Sequence, residues 1–310
     1  MCHPSSDAKH RRLTVHYIPD SVRVPHTKFS PFRLRSYTRG MPIFQAPDKV
    51  RLYFKDWGDG APVIFLHAYA LNSDAWDYQM AFLSQNGLRC IAYDRRGHGR
   101  SDHPGHGYDY DTLADDLAAL ISHLDLSGIM LVGHSMGAGE IARYLSRHGS
   151  SKVRRAVLVS PITPFMLRTI DNPDGLDPAI FEQVAELIAA DYPNALRQFA
   201  SSFWGDAGQV SPDMKEWVHQ MGLQTSLIAA SSCIRSNWLT DFRADLTAFN
   251  VPTLVIQGNR DMILPLEQSG QPTAGSIPGS RLEIYEGTGH GLPLIERTKL
   301  SGDLLRFANS

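Results

Sequence analysis

Three residues of this chain can do nucleophilic chemistry together: Ser135, Asp261 and His290. A serine hydroxyl is a poor nucleophile at neutral pH. It needs a base to take its proton, and the base needs an acid to orient it. Ser135 stands in Gly133-His134-Ser135-Met136-Gly137, between the apolar run Ile129–Val132 and the helical sequence Glu140–Leu145. This is the G-x-S-x-G signature in a strand–turn–helix context. On such a turn the serine backbone is strained, and a Cβ at Gly133 or Gly137 would collide with the neighbouring strand or helix. The plain alternative is an ordinary helix start with a serine near its cap. The acid and base follow two later apolar runs. Asp261 comes after Pro252–Gln257, in Gly258-Asn259-Arg260-Asp261, and His290 comes after Arg281–Tyr285, in Gly287-Thr288-Gly289-His290-Gly291. Both positions are expected at strand C-termini, on the side where Ser135 sits. Asp241 and Asp245 are rival acids, but they precede the strand rather than follow it.

Acyl chemistry also needs donors for the oxyanion. The backbone N–H of Met136, at the start of the elbow helix, is one. The loop after Pro62–Leu66, His67-Ala68-Tyr69-Ala70, supplies the other, assigned to the backbone N–H of Tyr69. Phe165, Phe203, Trp204 and Trp238 are candidates for pocket walls, and each suits the core of a helical segment equally well. His98, His103 and His106 lie in a glycine-rich loop with no fixed geometry for a metal, so no metal or other cofactor is expected. His67 reads as a buried hydrogen-bonding residue, and His134 as structural rather than a second base.

The elements around these residues alternate. Val50–Trp57, Pro62–Leu66, Arg89–Tyr93, Ile129–His134 and Val153–Val159 read as strands, separated by helices over Ser73–Gln85, Thr112–Leu124 and Met136–Arg147. Short, nearly all-apolar strands between helices mean a parallel sheet covered on both faces. Residues 161–241 break the rhythm with helical stretches near Pro178–Asp191, Pro193–Phe203, Pro212–Met221 and Leu223–Asn237. Alternation then resumes with Pro252–Gln257, a helical region near Leu266, Arg281–Tyr285 and a last helix near Lys299–Phe307. A helical insertion between strands reads as a cap over the strand C-termini, where such sheets bind ligands.

Composition restricts the function classes. The chain has 310 residues, 43% hydrophobic and 20% charged, with a net charge of −2. Residues 1–40 hold eight Lys/Arg against two Asp/Glu, which leaves the remainder at −8. An acidic body gives no electrostatic case for nucleic acid or an anionic membrane as partner. Three scattered cysteines suggest neither a disulfide framework nor a zinc site, so a reducing, cytoplasmic setting is expected. No apolar run reaches membrane-spanning length. Residues 1–40, with four histidines, four prolines and no periodicity, read as a flexible basic arm or as residues upstream of the true start. Their scarcity of acids would also suit a transit peptide. The ordered pattern begins at Met41-Pro42, which gives an organisation of 1–40 arm, 41–160 core, 161–241 cap and 242–310 core.

From Met41 to Phe307 the chain resembles the cofactor-free haloperoxidase and arylesterase group of α/β-hydrolases. The order Ser…Asp…His is theirs. Asp94-Arg95-Arg96-Gly97-His98-Gly99-Arg100-Ser101 resembles the loop after their fourth strand. Gly139–Tyr144 is similar to their elbow helix, Asn172-Pro173-Asp174-Gly175-Leu176 to the start of their cap, and Glu286–Gly291 to their histidine loop. The resemblance implies an α/β-hydrolase fold with a mostly parallel sheet, helices on both faces and a helical cap after the sixth strand. It implies serine-dependent hydrolysis of small esters or lactones, with Ser135 as nucleophile, His290 as base, Asp261 as acid, and Tyr69 and Met136 as oxyanion donors. Some members also make a peracid that oxidises halide without metal or haem. Two departures stand out. The group usually has His-Gly where this chain has His67-Ala68, and its perhydrolase-prone members tend to have proline where this chain has Ala70. A serine nucleophile argues against a dehalogenase or epoxide hydrolase. The alternatives left are C–C bond cleavage by the same triad, and a non-catalytic ligand receptor on the same fold.

Overall fold

The computed structural model describes residues 42–205 and 210–310. Its centre is a sheet of eight strands in the order β1-β2-β4-β3-β5-β6-β7-β8. These are β1 (Ile43–Gln45), β2 (Arg51–Trp57), β3 (Ala61–Leu66), β4 (Leu88–Tyr93), β5 (Ile129–His134), β6 (Val153–Val159), β7 (Thr253–Gly258) and β8 (Arg281–Tyr285). From β4 to β8 every neighbouring pair is parallel, whereas β2 pairs antiparallel with both β1 and β4. The short β1 is too brief to show a period in sequence. It makes Val153–Val159 the sixth strand, and the helical cap follows it.

The helices are α1 (Asp77–Gln85), α2 (Tyr110–His123), α3 (Met136–His148), α4 (Pro178–Ala190), α5 (Tyr192–Trp204), α6 (Pro212–Gly222), α7 (Leu227–Leu239), α8 (Arg243–Leu246), α9 (Gly270–Ser276), α10 (Leu292–Ile295) and α11 (Arg297–Asn309). Strand residues alternate between two cores. Ile64, Leu66, Leu131, Ala156 and Leu158 face the core that includes α2 and α3. Val63, Phe65, Val132, Val157 and Val159 face the one that includes α1 and α11. Each of these larger side chains is essentially inaccessible, and such burial stabilises by about 1.5–3 kcal/mol apiece. The sheet is thus pinned from both faces, and its strand C-termini are held rigidly.

Several boundaries differ from those the sequence suggests. The segment from Ser73 opens as a 3-10 turn, Ser73–Trp76, because the Asn72 side chain accepts from the Asp74 N–H. The last cap helix starts at Leu227 rather than Leu223. Residues 223–226 turn instead, the Gly99 N–H donating to Gln224 O and the Ser226 N–H to Gly97 O. Ser226 then caps α7 through the Ala229 N–H. The helical region near Leu266 forms at Gly270–Ser276. Residues 1–41, including the arm and the Met41 start, lie outside the described residues. Among the described residues no helix is long and apolar enough to cross a membrane.

Candidate active site

The turn between β5 and α3 is strained in the way its glycines suggest. Ser135 has φ 55° and ψ −113°, a conformation that costs a non-glycine residue about 1–3 kcal/mol. Surroundings hold it there. Its N–H donates to Val159 O (2.9 Å), and its own carbonyl accepts from the Ala138 and Ile162 N–H groups. A Cβ on Gly137 would sit 2.4 Å from Leu66 O, and one on Gly133 would sit 2.4 Å from Gly137 O. No larger residue fits either position without moving β3 or α3.

The loops after β7 and β8 bring Asp261 and His290 together. Asp261 Oδ1 accepts from the Ile263 and Leu264 N–H groups (3.0 and 2.9 Å). Asp261 Oδ2 accepts from Gln257 Nε2 (2.9 Å) and from His290 Nδ1–H (2.8 Å). The carboxylate can only accept here, so the proton of the neutral imidazole lies on Nδ1 and Nε2 is left as an acceptor. His290 is further held by its backbone, whose carbonyl accepts from His134 Nε2–H (2.9 Å). Burial, followed by the nearby His290, holds His134 well below the usual histidine range, so it stays a neutral donor. Ser135 and His290 open onto the same cavity of about 380 Å³. No hydrogen bond joins Ser135 Oγ to the imidazole; in uncomplexed sites this contact is commonly long and tightens on substrate.

The Tyr69 and Met136 N–H groups have no acceptor among the described residues. For Met136 this follows from its place at the first turn of α3, where backbone donors are free. The Tyr69 loop is shaped from three directions. The Leu71 N–H donates back to Ala68 O, the Tyr69 hydroxyl donates to Ala230 O on α7 (3.1 Å), and Ala70 has φ 56°. Beneath it, His67 Nε2 accepts from the Arg95 N–H (3.0 Å), which leaves Nδ1–H to donate to Ala68 O (2.8 Å). Arg95 Nη2 also reaches His67 O (2.9 Å), while its Nε and Nη2 grip Glu140 Oε2 on α3 (2.9 and 2.8 Å). A buried ion pair therefore ties the loop to the elbow helix.

Of the four aromatic residues considered as pocket walls, Phe203, Trp204 and Trp238 border the cavity. Phe165 does not. After Pro164 its ring turns to the start of α8, where the Arg243 guanidinium stacks on it at 5.3 Å. Asp241 and Asp245 are committed elsewhere, to Arg243 and Arg143 respectively. His98 points inward, its Nδ1 on Arg96 O (2.8 Å), and burial pushes it down to about 3. The roles of Gln257 and of the Arg95–Glu140 pair are not visible in the sequence. Neither carries a motif: Gln257 acts on a residue four positions away, and Arg95 and Glu140 are 45 residues apart.

A serine on a strained elbow, a carboxylate-anchored imidazole and a pair of free backbone donors at the C-terminal edge of a parallel sheet define a hydrolase architecture. Comparison with known proteins agrees: residues 61–296 match the alpha/beta hydrolase fold family. The chain belongs to that family, and its relatives there include non-heme haloperoxidases. It is 39% identical over 274 residues to the non-heme chloroperoxidase CPO-A1 of Kitasatospora aureofaciens, covering 87% of this chain and all of that one. It is 38% identical to the bifunctional esterase/perhydrolase DCH of Acinetobacter calcoaceticus, covering 85% of this chain and 98% of the relative. Among solved structures, the bromoperoxidase from Bacillus anthracis superposes with a TM-score of 0.85 at 34% identity, covering 87% of this chain and all of that one.

Proposed function

We propose that this chain hydrolyses small carboxylic esters or lactones through an acyl-enzyme on Ser135. The observation that carries the reading is the Asp261–His290 bond, which leaves imidazole Nε2 as a base on the cavity that Ser135 faces. His290 Nε2 takes the Ser135 proton as Oγ attacks the ester carbonyl, and Asp261 stabilises the imidazolium. The Tyr69 and Met136 N–H groups receive the oxyanion. His290 then protonates the leaving alcohol, and water, deprotonated by the same imidazole, releases the acid and restores the serine. The cap walls are mostly apolar, with Leu196, Phe199 and Trp238 among them, which suits an uncharged acyl or aryl group.

Hydrogen peroxide in place of water would release a peracid, as the name of the Acinetobacter relative suggests for that protein. We infer that this is a side reaction here. The perhydrolase-prone members that the chain resembles tend to have proline at position 70. Ala70 has φ 56°, whereas proline is locked near −65°, so the loop follows a different path in this chain. The test is a panel of p-nitrophenyl esters, aryl lactones and β-diketones, assayed with water alone and with peroxide, for wild type and Ser135→Ala. Ester or lactone turnover that falls at least about 1,000-fold in the variant is the expected result. Unchanged turnover in Ser135→Ala, or cleavage of the diketones alone, would overturn the reading.

A further inference from the structure

Two walls of the cavity differ in chemistry. The α5–α6 wall mixes apolar side chains with Ser202, Lys215 and His219. The lining from α4, α7 and the segment after β6 presents Ile162, Met166, Leu176, Ile180, Ile234 and the Trp238 indole, with Asn237 its one carboxamide. Asn237 is only 3% exposed. Its Oδ1 accepts from the Tyr110 hydroxyl at 2.7 Å. That hydroxyl has no other acceptor among the described residues, so donation to Oδ1 fixes which way the amide faces. Tyr110 cannot easily move: it is buried, its ring stands edge-on to Phe242 at 4.7 Å, and a Cβ on Gly139 of the elbow helix would come within 2.9 Å of it. Asn237 Nδ2 has no acceptor among the described residues and is not among the buried polar atoms sealed off without a partner. Buried polar groups are satisfied as a rule. An amide locked at one end, with its NH2 left on the wall of a mostly apolar surface, is a donor waiting for a ligand.

Building on the hydrolase reading, we propose that Asn237, oriented by Tyr110, selects substrates that carry a second oxygen acceptor. These are oxygen-bearing esters or lactones, with an ether or carbonyl oxygen beyond the scissile group, in preference to plain alkyl esters of the same shape. Asn237 is a specificity-determining residue and Tyr110 a positioning residue. An acceptor-free chain on this wall leaves the amide NH2 unpaired, and a site built to hydrogen-bond a substrate group discriminates against analogues lacking it.

The experiment uses two isosteric pairs: p-nitrophenyl methoxyacetate against p-nitrophenyl butanoate, and 2-methoxyethyl acetate against butyl acetate. kcat/KM is measured for each with wild type, Asn237→Leu and Tyr110→Phe, and each ratio is divided by the ratio for hydroxide-catalysed hydrolysis. Wild type should favour the methoxy member in at least one pair by roughly 3- to 10-fold, the range of one net hydrogen bond. Asn237→Leu should bring that ratio to about one, and Tyr110→Phe should reduce it. A general loss of activity cancels within each pair, so a merely structural role would leave the ratios unmoved. Tyr110→Phe removes a single hydroxyl and keeps the test open if Asn237→Leu does not fold. Equal rates within both pairs for wild type, or a preference that survives both substitutions, would overturn this inference alone. Turnover of none of the four esters by wild type would overturn the hydrolase reading beneath it.

Discussion

Replacing Asp261 by Asn changes one atom, and the structure dictates where that atom goes. Asp261 Oδ1 accepts from two backbone N–H groups, so the amide oxygen must stay there and Nδ2 must take the place of Oδ2. At that position it meets Gln257 Nε2 and His290 Nδ1. Gln257 is kept from turning to offer its oxygen because its Nε2 also donates to Leu264 O (2.9 Å), a bond the turn would replace with a contact between two oxygens. The donor–donor contact should cost about 1–3 kcal/mol of stability. The relief lies at His290, which can accept from the new amide only by moving its proton from Nδ1 to Nε2. The nitrogen facing Ser135 then becomes a donor and ceases to be a base. A triad in the wrong tautomer loses roughly 10,000-fold in kcat, about 5.5 kcal/mol of barrier. The assay is p-nitrophenyl ester turnover, with nitrogen NMR of His290 reporting the tautomer. A variant that keeps kcat within tenfold of wild type, with the proton moved to Nε2, would refute the reasoning.

The buried histidines set an acid limit on stability. His67, His98 and His134 are held below the usual histidine range, chiefly by burial. Below about pH 6.5 the unfolded chain therefore binds protons that the folded chain refuses. Stability is complete above that pH and falls as the medium is acidified, by up to about 1.4 kcal/mol per pH unit for each histidine. Urea titrations at pH 7.5 and 5.5 should show the loss, with a smaller slope in His98→Gln; an unchanged slope would contradict it. Arg95→Met should act in the opposite direction with pH. Burial pushes the Glu140 carboxyl up, and with Arg95 gone nothing opposes that. The folded variant holds a proton that the unfolded chain releases above about pH 4.5, so it loses stability as pH rises. At neutral pH the loss should approach the roughly 3–5 kcal/mol typical of a broken buried pair. Arg95→Met/Glu140→Gln should recover much of it and flatten the pH dependence in the same urea titrations. Gly137→Ala, whose Cβ would lie 2.4 Å from Leu66 O, should cost about 3 kcal/mol or more by denaturant midpoint. A near-neutral change there would mean that the elbow is not tightly closed.

The placement of Ser135, Asp261 and His290 is legible in the sequence because each follows a strand, and a parallel strand announces itself by a short apolar run. Once Ile129–His134, Thr253–Gly258 and Arg281–Tyr285 are strands, Ser135, Asp261 and His290 must emerge at one sheet edge. What governs the rest of the site is long-range. Phe165 looks like a pocket aromatic until Arg243, far along the chain, covers its ring. Asn237 is one polar residue in a helix until Tyr110 fixes its amide. Gln257, although only four residues before Asp261, carries no motif that marks it as a second donor to the oxygen that holds His290. The start of α7 is likewise set at long range, since contacts with residues 97 and 99 overrule the helical preference of Leu223–Thr225.

The central claim is that Ser135 is a nucleophile activated by His290. Its most direct measurement is labelling with a serine-directed aryl phosphonate, followed by intact mass and peptide mapping, in wild type and His290→Ala. A single adduct on Ser135, forming at least about 100-fold more slowly without the imidazole, is what the account predicts. No adduct on folded wild type, or equal labelling rates with and without His290, would contradict it.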